Sequence, residues 1–243
     1  MPAFKTLTAA AVGAVAFVAA AQAADMPGNW PPPYQQKPAQ TFSEMTSGWY
    51  IRGDIGYRFN RIGSVDSSSP ATPVTGSNID NTFAAGLGGG YKYRWFRADL
   101  TVDYGPQAKF HGDVPGAASF YSMKIDTLTV LANAYFDMGT WYGFTPYIGA
   151  GVGTSYLRTG DYTNASLGNV IPIPTRANWS LSWAAMAGVS YQILPNIALD
   201  FGYRYLTIGD AKSGFEPPAF TNATTVKNIT AQELRVGFRF LLD

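Results

Sequence analysis

The one histidine of this chain, His111, has Asp113 two residues further on. A lone imidazole could serve as a general base. It cannot build a multi-histidine metal site, and no serine–histidine–acid set accompanies it. Gly149-Ala150-Gly151-Val152-Gly153 has the glycine density of a phosphate-cradling turn. Its spacing is not the dinucleotide fingerprint, however, and no helix pattern follows, so steric relief for neighbouring side chains explains it better. Cysteine is absent, which excludes disulfides and a lipid anchor on an N-terminal thiol. No catalytic residue, cofactor or metal is expected. What remains is charge placed singly between apolar neighbours: Arg52, Asp54, Arg58, Arg97, Asp99, Asp103, Asp200, Arg204, Glu233, Arg235 and Arg239. Such groups must be either solvated or paired with each other.

Their spacing identifies the elements that carry them. Over Gly48–Arg61 every second residue from Trp49 is apolar or glycine (Trp49, Ile51, Gly53, Ile55, Tyr57, Phe59), and the residues between include Arg52, Asp54 and Arg58. Side chains alternate faces along a strand, so one face here is greasy and the other charged. Seven further segments repeat the pattern. Their apolar faces run Phe83–Tyr93, Phe96–Tyr104, Leu128–Phe136, Ile148–Tyr156, Trp179–Tyr191, Ile197–Tyr205 and Leu234–Leu242. Short connections fall near Lys92–Trp95, Asp137–Phe144 and Leu194–Asn196. Long polar loops are expected over Ile62–Asp80, Gly105–Ser119, Thr159–Ala177 and Gly209–Lys227.

An export signal precedes the first segment. Lys5 begins it, an uncharged alanine-rich run from Leu7 to Ala21 follows, and Ala21-Gln22-Ala23 is a small-x-small cleavage site. Residues 1–23 therefore read as a signal peptide. Residues 24–46 hold Pro27, Pro31, Pro32, Pro33 and Pro38 and read as an extended periplasmic leader. Losing Lys5 leaves 16 basic against 16 acidic residues, so there is no basic field for nucleic acid or anionic lipid.

Short turns at one end and long loops at the other are the layout of an outer-membrane barrel, and each segment suits the roughly 9–11 tilted residues that cross a bilayer. Backbone groups facing lipid must all be paired, so the sheet must close. A soluble β-sandwich would show similar alternation. Against it, Trp, Tyr and Phe gather near segment ends (Trp49 and Phe59, Phe83 and Tyr93, Phe96 and Tyr104, Trp179 and Tyr191), as interfacial girdles require. Residues 47–243 thus read as an all-β, eight-stranded antiparallel up-and-down transmembrane barrel of the bacterial outer membrane, expected as a monomer. The triplets Asn164-Ala165-Ser166 and Asn222-Ala223-Thr224 match a glycosylation signal, to which a bacterial barrel gives little meaning.

Eight strands enclose an interior that side chains can fill. Six arginines against five carboxylates nearly cancel there, with Gly86, Gly88 and Gly90 leaving room for them. This network is expected to plug the tube and fix strand register. A narrow channel for small solutes is the alternative, and adhesion through the loops a second one. Val170–Pro174 and Phe215–Phe220 carry apolar groups in those loops.

Gly48-Trp49-Tyr50-Ile51-Arg52-Gly53-Asp54-Ile55-Gly56-Tyr57 resembles the opening strand of the small alphaproteobacterial outer-membrane β-barrel proteins, a porin-like family that includes surface antigens. Asp126–Tyr135 and Leu199–Tyr205 are similar to its fourth and seventh strands. The resemblance implies a surface protein that meets outer-membrane lipid and lipopolysaccharide, and that the barrel-assembly machinery inserts. Such barrels usually end on an aromatic residue, whereas this chain ends Phe240-Leu241-Leu242-Asp243. Gly237, Phe240 and Leu242 still resemble the family's insertion signal, displaced by one residue.

Overall fold

The computed structural model describes residues 47–67, 75–113, 119–166, 169–173, 175–212 and 224–242. The expected signal peptide, the leader and Phe215–Phe220 lie outside the described residues. Eight long strands form the wall: β1 (Ser47–Arg61), β2 (Thr82–Tyr93), β3 (Phe96–Asp113), β4 (Ser119–Asp137), β5 (Phe144–Ser166), β6 (Arg176–Leu194), β7 (Ile197–Lys212) and β8 (Thr224–Leu242). Each pairs antiparallel with its sequence neighbours. β8 then pairs with β1 from Trp49↔Leu242 to Arg61↔Thr230, closing the sheet on itself. Closure leaves the wall without an edge, which is the condition for a sheet to stand in hydrocarbon.

Turns at one end are tight. Arg94 adopts φ 53° between β2 and β3, and Pro195-Asn196 joins β6 to β7. A left-handed residue matches the twist of the flanking strands in such a hairpin.

At the other end the strands run well into the segments expected as long connections, of which 68–74, 114–118, 167–168 and 213–223 lie outside the described residues. β3 and β4 stay paired out to Asp113↔Phe120, and β4 and β5 out to Ser119↔Ser166. Three short strands add to this rim: Ser64–Ser67 on β8, Thr75–Ile79 on β3 and Asn169–Ile173 on β5. β5 reaches 23 residues, about twice what a bilayer crossing needs. Much of the sequence assigned to connections is therefore barrel wall. Alternation was lost from view there because bulges shift its phase. In β3 the register slips between Gly105 and Ala108, at Pro106, a residue that cannot donate to a ladder and is tolerated at bulges. Below the slip the odd residues Asp103 and Gly105 face inward. Above it the even residues Ala108 and Phe110 do. Slips around Gly209 in β7 do the same.

The outer face is apolar where the strands face lipid, with Leu87 71% exposed at mid-height. Rings pair along the two borders: Trp49 with Tyr91 (5.3 Å) and Phe144 with Tyr191 (4.7 Å) near the short turns, Tyr57 with Phe83 (5.1 Å) and Tyr156 with Trp179 (5.0 Å) above. From Trp49 to Tyr57 the band is roughly 20 Å tall, at ~3.3 Å per residue and a tilt near 40°.

Candidate functional site

The interior is filled in two tiers. Charged side chains occupy the part nearer the short turns, and apolar ones the part under the long hairpins.

The charged tier follows from alternation. On β1, Arg52, Asp54 and Arg58 share the inner face. On β3 it is Arg97, Asp99 and Asp103, on β7 Asp200 and Arg204, and on β8 Glu233, Arg235 and Arg239. All eleven residues singled out from the sequence line the lumen, and the fold brings them into contact. Glu233, with no exposed surface, accepts from Arg58 Nε (2.7 Å), Arg204 Nε (2.7 Å) and Arg235 Nη1 (2.8 Å). Asp103 accepts from Arg204 Nη1 (2.8 Å) and Arg235 Nη2 (2.5 Å). Glu233, Arg204, Asp103 and Arg235 thus form a ring of alternating charge. Arg235 also touches Asp54, and Arg52 bridges Asp54 (3.2 Å) to Asp99 (3.2 Å). Asp99 takes further bonds from Tyr50 (3.0 Å) and Asn133 (2.8 Å). In this group Arg52, Arg58, Arg204 and Arg235 balance Asp54, Asp99, Asp103 and Glu233.

Arg52 and Arg239 face each other across the β1–β8 ladder, a like-charged pair that is unfavourable without counter-charges. Arg239 donates to Asp200 (3.1 Å) and Ser190 (2.9 Å), while Ser190 bonds Asp200. Arg97 lies 4.8 Å from the ring centres of both Tyr135 and Tyr147 and donates to Asp137 (2.9 Å).

Two members escaped the reading of the sequence. Lys92 and Asp137, buried and bonded at 2.6 Å, were assigned to turns. Continuing the parity of Gly86, Gly88 and Gly90 reaches Lys92, and continuing that of Asn133 and Tyr135 reaches Asp137. The charged side chains also cross the lumen, Arg58 donating to Thr127 (3.3 Å) and Arg52 to Tyr135 (2.9 Å) on β4. The glycines give the arginines space: a Cβ on Gly86 would come within 2.9 Å of Arg235 Nη2 and collide with Asp103.

The apolar tier was not foreseen. Phe110, Met123, Ile125, Leu157, Leu206, Ile208, Val226 and Ile229 pack together inside the wall. Between the tiers, Thr129, Ser155 and Ser182 share hydroxyl bonds of 2.8 and 2.7 Å. Two cavities inside the tube measure about 20 Å³ each, room for roughly one water. His111 points outward on the rim of β3, across from Ser122, away from this interior. Among the described residues no group of His, Cys, Asp or Glu could hold a metal ion. Gly237 sits on β8 against Asp54, where a Cβ would meet the Gly53 carbonyl at 2.8 Å, and Phe240 and Leu242 pair with Ile51 and Trp49.

A relative in Brucella abortus (strain 2308), itself uncharacterized, is 29% identical over 236 residues, covering 81% of this chain and 78% of its own. A candidate adhesin of Rickettsia canadensis (strain McKiel) is 30% identical over 179 residues, covering 70% of this chain and 76% of its own. The crystal structure of the outer membrane protein OprG from Pseudomonas aeruginosa matches with a TM-score of 0.52 at 17% identity, over 81% of this chain and 97% of that one. The likeness to OprG concerns the fold alone. The family model described as outer membrane protein beta-barrel domain matches residues 7–240. A closed lipid-facing sheet and this match agree: the chain belongs to the outer membrane protein beta-barrel domain family, and it is an integral protein of the bacterial outer membrane.

Proposed function

We propose that this protein is a closed, non-enzymatic barrel whose role is structural and interfacial: it spans and stabilises the envelope and presents a stiff β-rim outside the cell. The observation that carries the reading is the filled lumen. A polar tier of interlocked ion pairs lies below an apolar tier, and two cavities found inside the tube among the described residues are only water-sized. Ions crossing such a tube would have to break buried pairs and then enter hydrocarbon-like packing, both costly. Lipopolysaccharide and membrane lipid are its partners along the wall, and the barrel-assembly machinery inserts it as a monomer. Recording from the refolded protein in planar bilayers tests the closed lumen: the expected trace is silent, and a large, stable open conductance would defeat it.

Adhesion is the second reading. It is favoured by strands that continue well past the aromatic border, as in β5, and by the adhesin name of the Rickettsia relative. Removing the paired tips of β4 and β5 while keeping the wall below them should abolish host-cell binding by bacteria displaying the protein. Unchanged binding would sink this reading.

A further inference from the structure

We infer that the short-turn end of the lumen holds a bound monovalent inorganic anion of the halide type, clamped between Arg239 and Lys92. The inference rests on the lumen being closed and deepens that reading.

Three observations meet at one place. First, the surplus of positive charge is local. The group built on Asp54, Asp99, Asp103 and Glu233 has four carboxylates for its four arginines. Beside it, among the described residues, Lys92, Arg97 and Arg239 share only Asp137 and Asp200. Three cations there face two carboxylates, and all five residues are buried. A buried cation without a counter-charge is strongly disfavoured.

Second, Arg239 has donors to spare. Its Nη2 is used by Ser190 and Asp200, but Nε and Nη1 have no hydrogen-bond partner among the described residues, only the Tyr50 ring 5.6 Å from the guanidinium carbon, although the residue is only 4% exposed. Unsatisfied guanidinium donors at such depth call for an acceptor.

Third, there is a cavity to hold one. Lys92, Asp137, Thr140, Thr145, Gln192 and Arg239 line a space of about 20 Å³. The Asp137 carboxylate is already committed, one oxygen to Lys92 at 2.6 Å and the other to Arg97 at 2.9 Å. Water could fill the volume and accept from Arg239, but it would leave the extra charge uncompensated. A monatomic anion answers both needs. A space this small favours a compact monatomic anion over a polyatomic one such as phosphate.

Diffraction from crystals grown in sodium bromide, with anomalous data at the bromine edge, is the direct test. The expected result is a peak in this cavity within about 3.5 Å of an Arg239 nitrogen. Bromide found only on the surface, or water alone in the cavity, overturns the inference. In detergent, chloride should raise the melting temperature of the wild-type barrel relative to gluconate at equal ionic strength. The rise should be roughly 3–6 °C once chloride reaches ten times its dissociation constant. Lys92→Gln leaves two cations facing two carboxylates and should erase the chloride effect. Equal melting in chloride and gluconate for the wild type, or an undiminished chloride effect in Lys92→Gln, overturns the proposal. Conductance on the same preparation separates the two readings. A silent barrel without bromide fails the anion site alone, whereas an open barrel fails the closed lumen on which the site rests, whether or not bromide is found.

Discussion

Replacing Glu233 with glutamine keeps the shape of the side chain and removes its charge from the centre of the lumen. Three guanidinium groups converge on this carboxylate at 2.7, 2.7 and 2.8 Å, and none of its surface is exposed. Charge-assisted bonds are worth about 1.5–3 kcal/mol each, so the gross loss is roughly 5–9 kcal/mol. Part returns because the amide is less costly to bury than the carboxylate. Stranding one side of a buried ion pair nets about 3–5 kcal/mol of destabilisation. The amide's NH₂ also points donors at donors. For a domain of this size each kcal/mol lowers the melting temperature by ~2–4 °C, giving a fall of roughly 6–20 °C. The assay is gel migration of the refolded protein after stepwise heating, since folded and unfolded barrels run apart, with loss of β-sheet circular dichroism as a second probe. In Arg58→Gln/Glu233→Gln the two losses should be non-additive by about 0.5–3 kcal/mol. A Glu233→Gln midpoint within ~2 °C of wild type would refute the claim that the ring of charges holds the wall together.

Gly90→Ala should lower the folded yield sharply, because the new Cβ would collide with the Ala98 backbone carbonyl, whereas Gly89→Ala on the outer face has only Tyr50 O at 3.5 Å and should fold normally. Equal yields in a refolding gel would contradict the inward packing assigned to β2. Leu87→Lys, at mid-height on the outer wall, should cost roughly 2–4 kcal/mol in lipid. Urea titration in phospholipid vesicles measures it, and a change under ~0.5 kcal/mol, as at an ordinary wet surface, would remove lipid as the solvent of that face. Phe110→Ala hollows the apolar tier and should cost about 3–5 kcal/mol, yet stay silent in bilayers because the charged tier still closes the tube. Stable conductance in this variant would show that the apolar tier alone forms the barrier.

The amino-acid order alone determines that there are eight alternating segments and which face of each is greasy. Alternation is a local property with a period of two residues, and lipid exposure on one side keeps the pattern clean wherever the wall meets the bilayer. Parity likewise picks out Arg52, Arg58, Arg204, Glu233 and Arg235 as inner residues. It fails where the phase slips. At Pro106 and around Gly209 a bulge inserts a residue and reverses the inner and outer sets, so Phe110 and Ala211 read as loop residues rather than as core. Lys92 and Asp137 stand where a strand meets its turn, and a charge at a turn is ordinarily solvated. Only the closed sheet decides who meets whom. Arg58 finds Glu233 175 residues away because β8 returns to β1, and Arg204 finds Asp103 because the lumen is narrow enough for long side chains to cross it. Contacts of that kind depend on strand stagger and barrel radius, which belong to the assembled cylinder and are carried by no single segment.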